Sequence, residues 1–138
     1  MKVRIDPRDT KFSQLIRERD GYTCVFCGRS KEQGYVMQNS HFWGRGNKAT
    51  RFDPLNCDTL CFTCHSKNEG NKQGFYRSWK IEQLGQEEYD KLEKRAKEIV
   101  SYGKFEKPII AKHLKENGLD NFPEMTKKCL WKLKEYES

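Results

Sequence analysis

Two C-x-x-C pairs, Cys24–Cys27 and Cys61–Cys64, constrain this chain more than any other feature. Each pair can turn two thiolates onto one ion through a tight loop, and two pairs complete a tetrahedron around zinc. Thirty-three residues lie between Cys27 and Cys61, more than a simple zinc ribbon holds. An ion at the base of so long a loop would clamp a segment that houses something else. The opening stretch, MKVRIDPRDTKF, has no apolar signal core, so secretion is not expected and metal is a better reading of the cysteines than disulfides. A redox pair fits poorly, because no βαβ pattern surrounds either motif. Cys57 and Cys129 remain, and both read as small buried hydrophobes.

The clamp matters because the core is lean. Hydrophobic residues are 35% of the 138, charged residues are 34%, and the mean hydropathy is −1.01. A chain of this kind gains folding free energy from a structural ion. No apolar run reaches the roughly 18 residues needed to cross a bilayer, so no membrane partner is expected. The net charge of +7 suits a polyanion. Between residues 41 and 80 seven cations face three acids, whereas residues 86–107 carry six of each sign. The positive surplus therefore surrounds the second cysteine pair and its neighbours.

The expected class is α+β. Phe12, Leu15, Ile16 and Arg19 fall at helical spacing, predicting a helix over 10–20 with Thr10 as its cap. Residues 35–42 alternate roughly as a strand, and a second short strand is placed near 49–52. The second knuckle should enter a helix running towards Asn71. Tyr89, Leu92, Ala96, Ile99 and Val100 form an apolar stripe on a helix over 86–100, with Glu87, Glu88 and Asp90 in its first turn. Pro108 and Gly118 bracket another helix, and Pro123 to Tyr136 a last one. The chain divides into a zinc-stapled core, 1–85, and a helical C-terminal extension, 86–138.

His41, Asn56 and His65 lie between and just after the knuckles. The clamp would draw strand, loop and helix together, so the three side chains could converge. Any one of them alone would be read as structural. With Ser40-His41, Asn56 and Cys61-Phe62-Thr63-Cys64-His65 in this order, the chain resembles the HNH nuclease family, whose core is a ββα-metal fold. It is most similar to the phage lambda NinG recombination-protein family within that group. Phe12-x-x-x-Ile16-Arg17-x-Arg19-Asp20, Ser40-His41-Phe42, Arg45-Gly46, Ala49-Thr50-Arg51-Phe52 and Gly70-Asn71 carry the similarity, which covers about residues 10–85.

The resemblance implies a metal-dependent endonuclease hydrolysing DNA phosphodiester bonds, with phage recombination or branched-DNA processing as its setting, in the host cytoplasm if phage-encoded. His41 would be the general base, Asn56 would orient its imidazole, and His65 would hold one divalent cation. Magnesium, manganese or nickel could serve, beside the structural zinc. HNH enzymes often carry an acid directly before the base, where this chain has Ser40. Asp53, Asn68 or Glu69 could supply the missing ligand. Arg45, Lys48, Arg51, Lys67, Lys72 and Arg77 are the candidate phosphate contacts. A non-catalytic zinc module that binds DNA or protein is the alternative, and monomer and homodimer both stay open.

Overall fold

The computed structural model describes residues 6–68, 74–98 and 106–120. Helix α1 spans Pro7–Arg19 and starts earlier than the apolar spacing predicts. Asp6, not Thr10, is the cap: its carboxylate accepts from the Arg8 backbone N–H at 2.9 Å, and Pro7 takes the first helical position.

After the first knuckle and a single 3-10 turn, Lys31–Gln33, strand β1 runs from Met37 to His41. Its partner β2 is Cys57–Cys61, antiparallel, with Met37 opposite Cys61, Ser40 opposite Asp58 and His41 opposite Cys57. The second strand therefore lies at 57–61 and not at 49–52, which is a succession of turns. All five β2 residues are buried. Phe62–Asn68 follows at once as α2, so this half of the core reads β-β-α.

Two strands alone are marginal in water, and this pair is covered on both faces. On one face lies α1: Ser13 Oγ accepts from Asn39 Nδ2 at 3.2 Å, and Thr59 Oγ1 donates to the Ile16 carbonyl at 3.3 Å. The end of α1 is tied to β2 as well. Arg19 donates to the carbonyls of Pro54 (2.8 Å) and Cys57 (2.7 Å), and the Asp20 carboxylate accepts from the Thr59 N–H.

On the other face lies α3, Phe75–Leu84, a helix that the sequence pattern did not reveal. Helix α4 spans Gln86–Ala96 and buries Tyr89, Leu92 and Ala96, the described part of its stripe. Tyr89 meets Phe42 and Tyr76, while Arg95 donates to Asp53 at 2.8 Å. Helix α5, Glu106–Asn117, ends at Gly118, whose φ of +61° is costly for other residues. Its Ile110 and Leu114 join Phe12, Ile16, Phe52 and Cys57 in one apolar cluster. The described helices after Gly85 thus pack on the residues before it. Ile99, Val100, Cys129, Gly70-Asn71 and the helix expected over 123–136 lie outside the described residues. Among the described residues no helix is long and apolar enough to cross a membrane.

Candidate functional site

The sulfur atoms of Cys24, Cys27, Cys61 and Cys64 all lie within 4.8 Å of one another, and all four residues are free thiols. Cys27 Sγ and Cys61 Sγ are 3.7 Å apart, far longer than a disulfide and close to the edge, about 3.8 Å, of a tetrahedron with zinc–sulfur bonds of about 2.3 Å. The donor set thus fits a structural zinc ion.

Backbone hydrogen bonds shape the turns that gather this cluster. Cys24 N–H donates to the Arg29 carbonyl and Gly28 N–H to the Cys24 carbonyl, with Gly28 at φ +77° closing the turn. Val25 N–H donates to the Thr59 carbonyl, which docks the knuckle on β2. Cys61 ends β2 and Cys64 opens α2. At Cys61 burial raises the thiol pKa, but the Cys64 backbone N–H and the neighbouring thiols outweigh it and bring it down to about 7. Cys57 is fully buried against Phe12 and Phe52, and burial pushes its pKa well up, as befits a packed thiol and not a ligand.

His41 closes β1 on the α1 face. Its ring lies 6.3 Å from that of Phe12, and its Nε2 is 3.0 Å from the Arg51 carbonyl oxygen. A carbonyl only accepts, so Nε2 carries the hydrogen and Nδ1 keeps the lone pair of the neutral ring. Burial pushes the His41 pKa below its ordinary value near 6.5. The Arg51 carbonyl and the Asp9 carboxylate oppose the shift, while Arg45 and Arg51 add to it.

Asn56 is fully buried, and among the described residues no hydrogen bond joins it to His41. Its Oδ1 accepts from Trp43 N–H (2.8 Å), and its Nδ2 donates to the carbonyls of Trp43 (2.9 Å) and Thr50 (3.1 Å). The carboxamide therefore ties both ends of loop 43–50. Arg51 follows immediately and presents its carbonyl to His41, so the loop that Asn56 ties also carries the His41 partner.

His65 stands apart. Its Nδ1 donates to Gln38 Oε1. Gln38 and His41 are three residues apart on β1, so their side chains leave opposite faces. Among the described residues no hydrogen bond joins His65 to His41 or Asn56. Ser40 shares the Gln38 face and is buried there. The Tyr76 hydroxyl sits between Ser40 Oγ (3.2 Å) and Asp58 Oδ2 (3.0 Å), and Lys80 Nζ reaches the same carboxylate oxygen at 2.9 Å. Ser40 is thus enclosed in a polar network. The four cysteines are the one group of three or more ligand side chains gathered among the described residues. Asp53 pairs with Arg95, Asn68 donates to the Cys64 carbonyl, and Glu69 lies outside the described residues.

The candidate phosphate contacts divide in the same way. Arg51 is held by Asp9 and Asp6, which makes it a strut between the loop and α1. Arg45 is exposed and only 3.7 Å from Asp9. Lys48 and Lys67 are exposed, Arg77 lies 5.5 Å over the Tyr89 ring, and Lys72 is outside the described residues. Two groups had no signal in the sequence: Asp6 and Asp9, which hold Arg51 and of which Asp9 also acts on His41, and the Asp58–Lys80 pair. Both act across long sequence separations, which periodicity does not report.

A model of the Bacteriophage Lambda NinG protein family matches residues 5–115. The chain belongs to that family. No curated protein and no solved structure matches it. The NinG match extends past residue 85 into α5, so it takes in helices that pack on the core and not only the segment with the cysteines. It also gives Arg19 and Asp20 a structural meaning in this NinG chain, since both are bonded to β2.

Proposed function

We propose that this NinG-family chain is a metal-dependent HNH-type endonuclease that hydrolyses DNA phosphodiester bonds, with a role in phage recombination or branched-DNA processing. The arrangement of His41 carries this reading. A half-buried imidazole is fixed as one neutral tautomer by the Arg51 carbonyl, on a loop that a buried carboxamide pins at both ends. A neutral, oriented imidazole near pH 7 is what a general base requires.

In this reading Nδ1 of His41 takes a proton from water as its oxygen attacks phosphorus, and the phosphorus–oxygen bond to the leaving strand breaks. Arg45, exposed and loosely paired with Asp9, contacts the phosphate. The Gln38 bond leaves Nε2 of His65 with its lone pair, so His65 would hold a divalent cation with phosphate oxygens and water. Such a cation would neutralise a phosphate of the bound strand from the Gln38 face of β1, apart from the His41 pocket. A zinc ion at the four cysteines would be structural and take no part in the chemistry.

A second reading, a zinc module that binds DNA without cutting it, is favoured by the separate anchoring of His41 and His65. Incubation of the full chain with supercoiled plasmid and with linear, nicked, flapped and four-way DNAs, in magnesium, manganese or nickel, decides between them. Cleavage of any of these supports the hydrolase. Binding without cleavage in every cation supports the module.

A further inference from the structure

A cleft of about 710 Å³ opens at the other end of β1, between α1 and the turn that precedes the strand. Gln14, Arg17, Tyr22, Lys31, Tyr35 and Val36 line it, together with Gly34 and Met37. We propose that this cleft binds a single nucleic-acid strand, a second contact for the DNA that the His41 site cuts. This rests on the hydrolase reading for its biological sense, though not for its test.

Four observations point to that occupant. First, the lining holds two cations and no acid. Among the described residues neither Arg17 nor Lys31 makes an ion pair, whereas Arg8, Arg19, Arg45, Arg51, Lys80 and Arg95 all do. Glu18 is bonded to Gln14, and Glu32 neighbours Lys31, but neither lines the cleft. Unpaired cations on a surface where most arginines are paired mark a place for an external anion.

Second, two tyrosines stand beside the cations. Lys31 Nζ lies 5.0 Å from the centre of the Tyr22 ring, and Arg29, just outside the lining, lies 5.0 Å from that of Tyr35. Arg29 also faces the thiols of Cys27 and Cys61. Aromatic rings interleaved with cations are how proteins hold unpaired bases without reading sequence.

Third, the apolar surface here is open. Tyr35 is 42% and Val36 66% exposed on a chain whose core is lean. A base can cover them, and a fully hydrated duplex groove cannot. Fourth, the cleft is preformed. The 3-10 turn at Lys31–Gln33 is closed by Gly34 at φ +92° and by the Ser30–Gln33 capping box, which fixes Lys31 and Tyr35 in place. Met37 borders the cleft and His41 holds the site, four residues apart on one strand, roughly 13 Å.

The test uses the full chain and a fluorescein-labelled oligo-dT of about 20 nucleotides, read by anisotropy. The wild type should bind. Tyr35→Ala should weaken binding on the order of 10-fold, the loss of one stacked base. Arg17→Glu combined with Lys31→Glu should weaken it further and flatten the salt dependence by about 1.4 in log–log slope, two phosphates' worth for a single strand. Zinc content should stay at the wild-type value in all variants and the thermal midpoint should change little, because Lys31 and Tyr35 are exposed and the half-buried Arg17 makes no ion pair among the described residues.

Unchanged dT binding in both variants, or none by the wild type, overturns the proposal. So does binding of a poly-glutamate peptide with displacement of the dT strand at equal charge concentration, which would make the cleft a site for acidic protein. Plasmid nicking by the wild type is scored separately: its absence removes the hydrolase reading and leaves the cleft standing, and the reverse result does the opposite.

Discussion

Trp43 and Asn56 exchange two hydrogen bonds: the Trp43 N–H donates to Asn56 Oδ1 at 2.8 Å, and Asn56 Nδ2 donates back to the Trp43 carbonyl at 2.9 Å. A backbone bond from Phe42 N–H to the Asn56 carbonyl, 2.8 Å, runs beside them. One buried side chain therefore replaces the ladder that loop 43–50 lacks. Asn56→Ala should strand two carbonyls and one N–H away from water. At about 1 kcal/mol or more each, this costs about 3 kcal/mol. The expected drop in thermal midpoint is about 10 °C, with zinc content retained, measured by calorimetry and metal analysis on the same sample.

The Asp58–Lys80 pair is enclosed, with side chains 0% and 1% exposed. Tyr76 and Gln83 complete the shell around the carboxylate. Lys80→Met should cost about 3–5 kcal/mol, because it leaves a buried charge without its partner. Adding Asp58→Asn should recover much of that loss. Urea denaturation of the two single variants and the double variant closes the cycle, and strict additivity would show that the pair is not coupled.

The four thiols should bind one zinc per chain. Zinc removal with a strong chelator should unfold the core, since the ion joins the first knuckle to the end of β2 and the start of α2. Colorimetric zinc release with far-ultraviolet circular dichroism follows both events. Release of zinc with no loss of structure would mean that the packing of Phe12, Ile16 and Leu60 suffices.

Burial lowers the His41 pKa. The unfolded ring, with an ordinary value near 6.5, then binds more protons than the folded one between the two values. The contribution of His41 to stability is fully present above about pH 6.5 and is lost as the pH falls through that value towards the lowered one. The acid limb of cleavage should follow the same ring, with its midpoint below 6.5 and unit slope. A His41 titration by nuclear magnetic resonance with a midpoint above 6.5 would contradict this.

The sequence disclosed what depends on local spacing. The four cysteines, the end of β1 at His41 and the Tyr89–Leu92–Ala96 face of α4 were all legible in that way. What it hid depends on partners far along the chain. Strand β2, Cys-Asp-Thr-Leu-Cys, contains an acid and a threonine that argue against a buried strand until Lys80 neutralises Asp58 and Ile16 accepts from Thr59. Helix α3 starts from Gly74 with no side-chain cap, so no start signal announced it. Arg51 read as a phosphate contact because only its charge is visible in sequence, while Asp6 and Asp9 lie more than forty positions away. His41 and His65 looked convergent because both flank the cysteines, yet strand alternation sends His41 towards α1 and the Gln38 partner of His65 to the other face.

The most direct measurement is the rate of DNA cleavage by His41→Ala beside the wild type, with zinc content and circular dichroism matched. A general base at His41 predicts a rate lower by about 10²–10⁴-fold with folding and metal unchanged. Cleavage at the wild-type rate by a folded, zinc-loaded His41→Ala would contradict it.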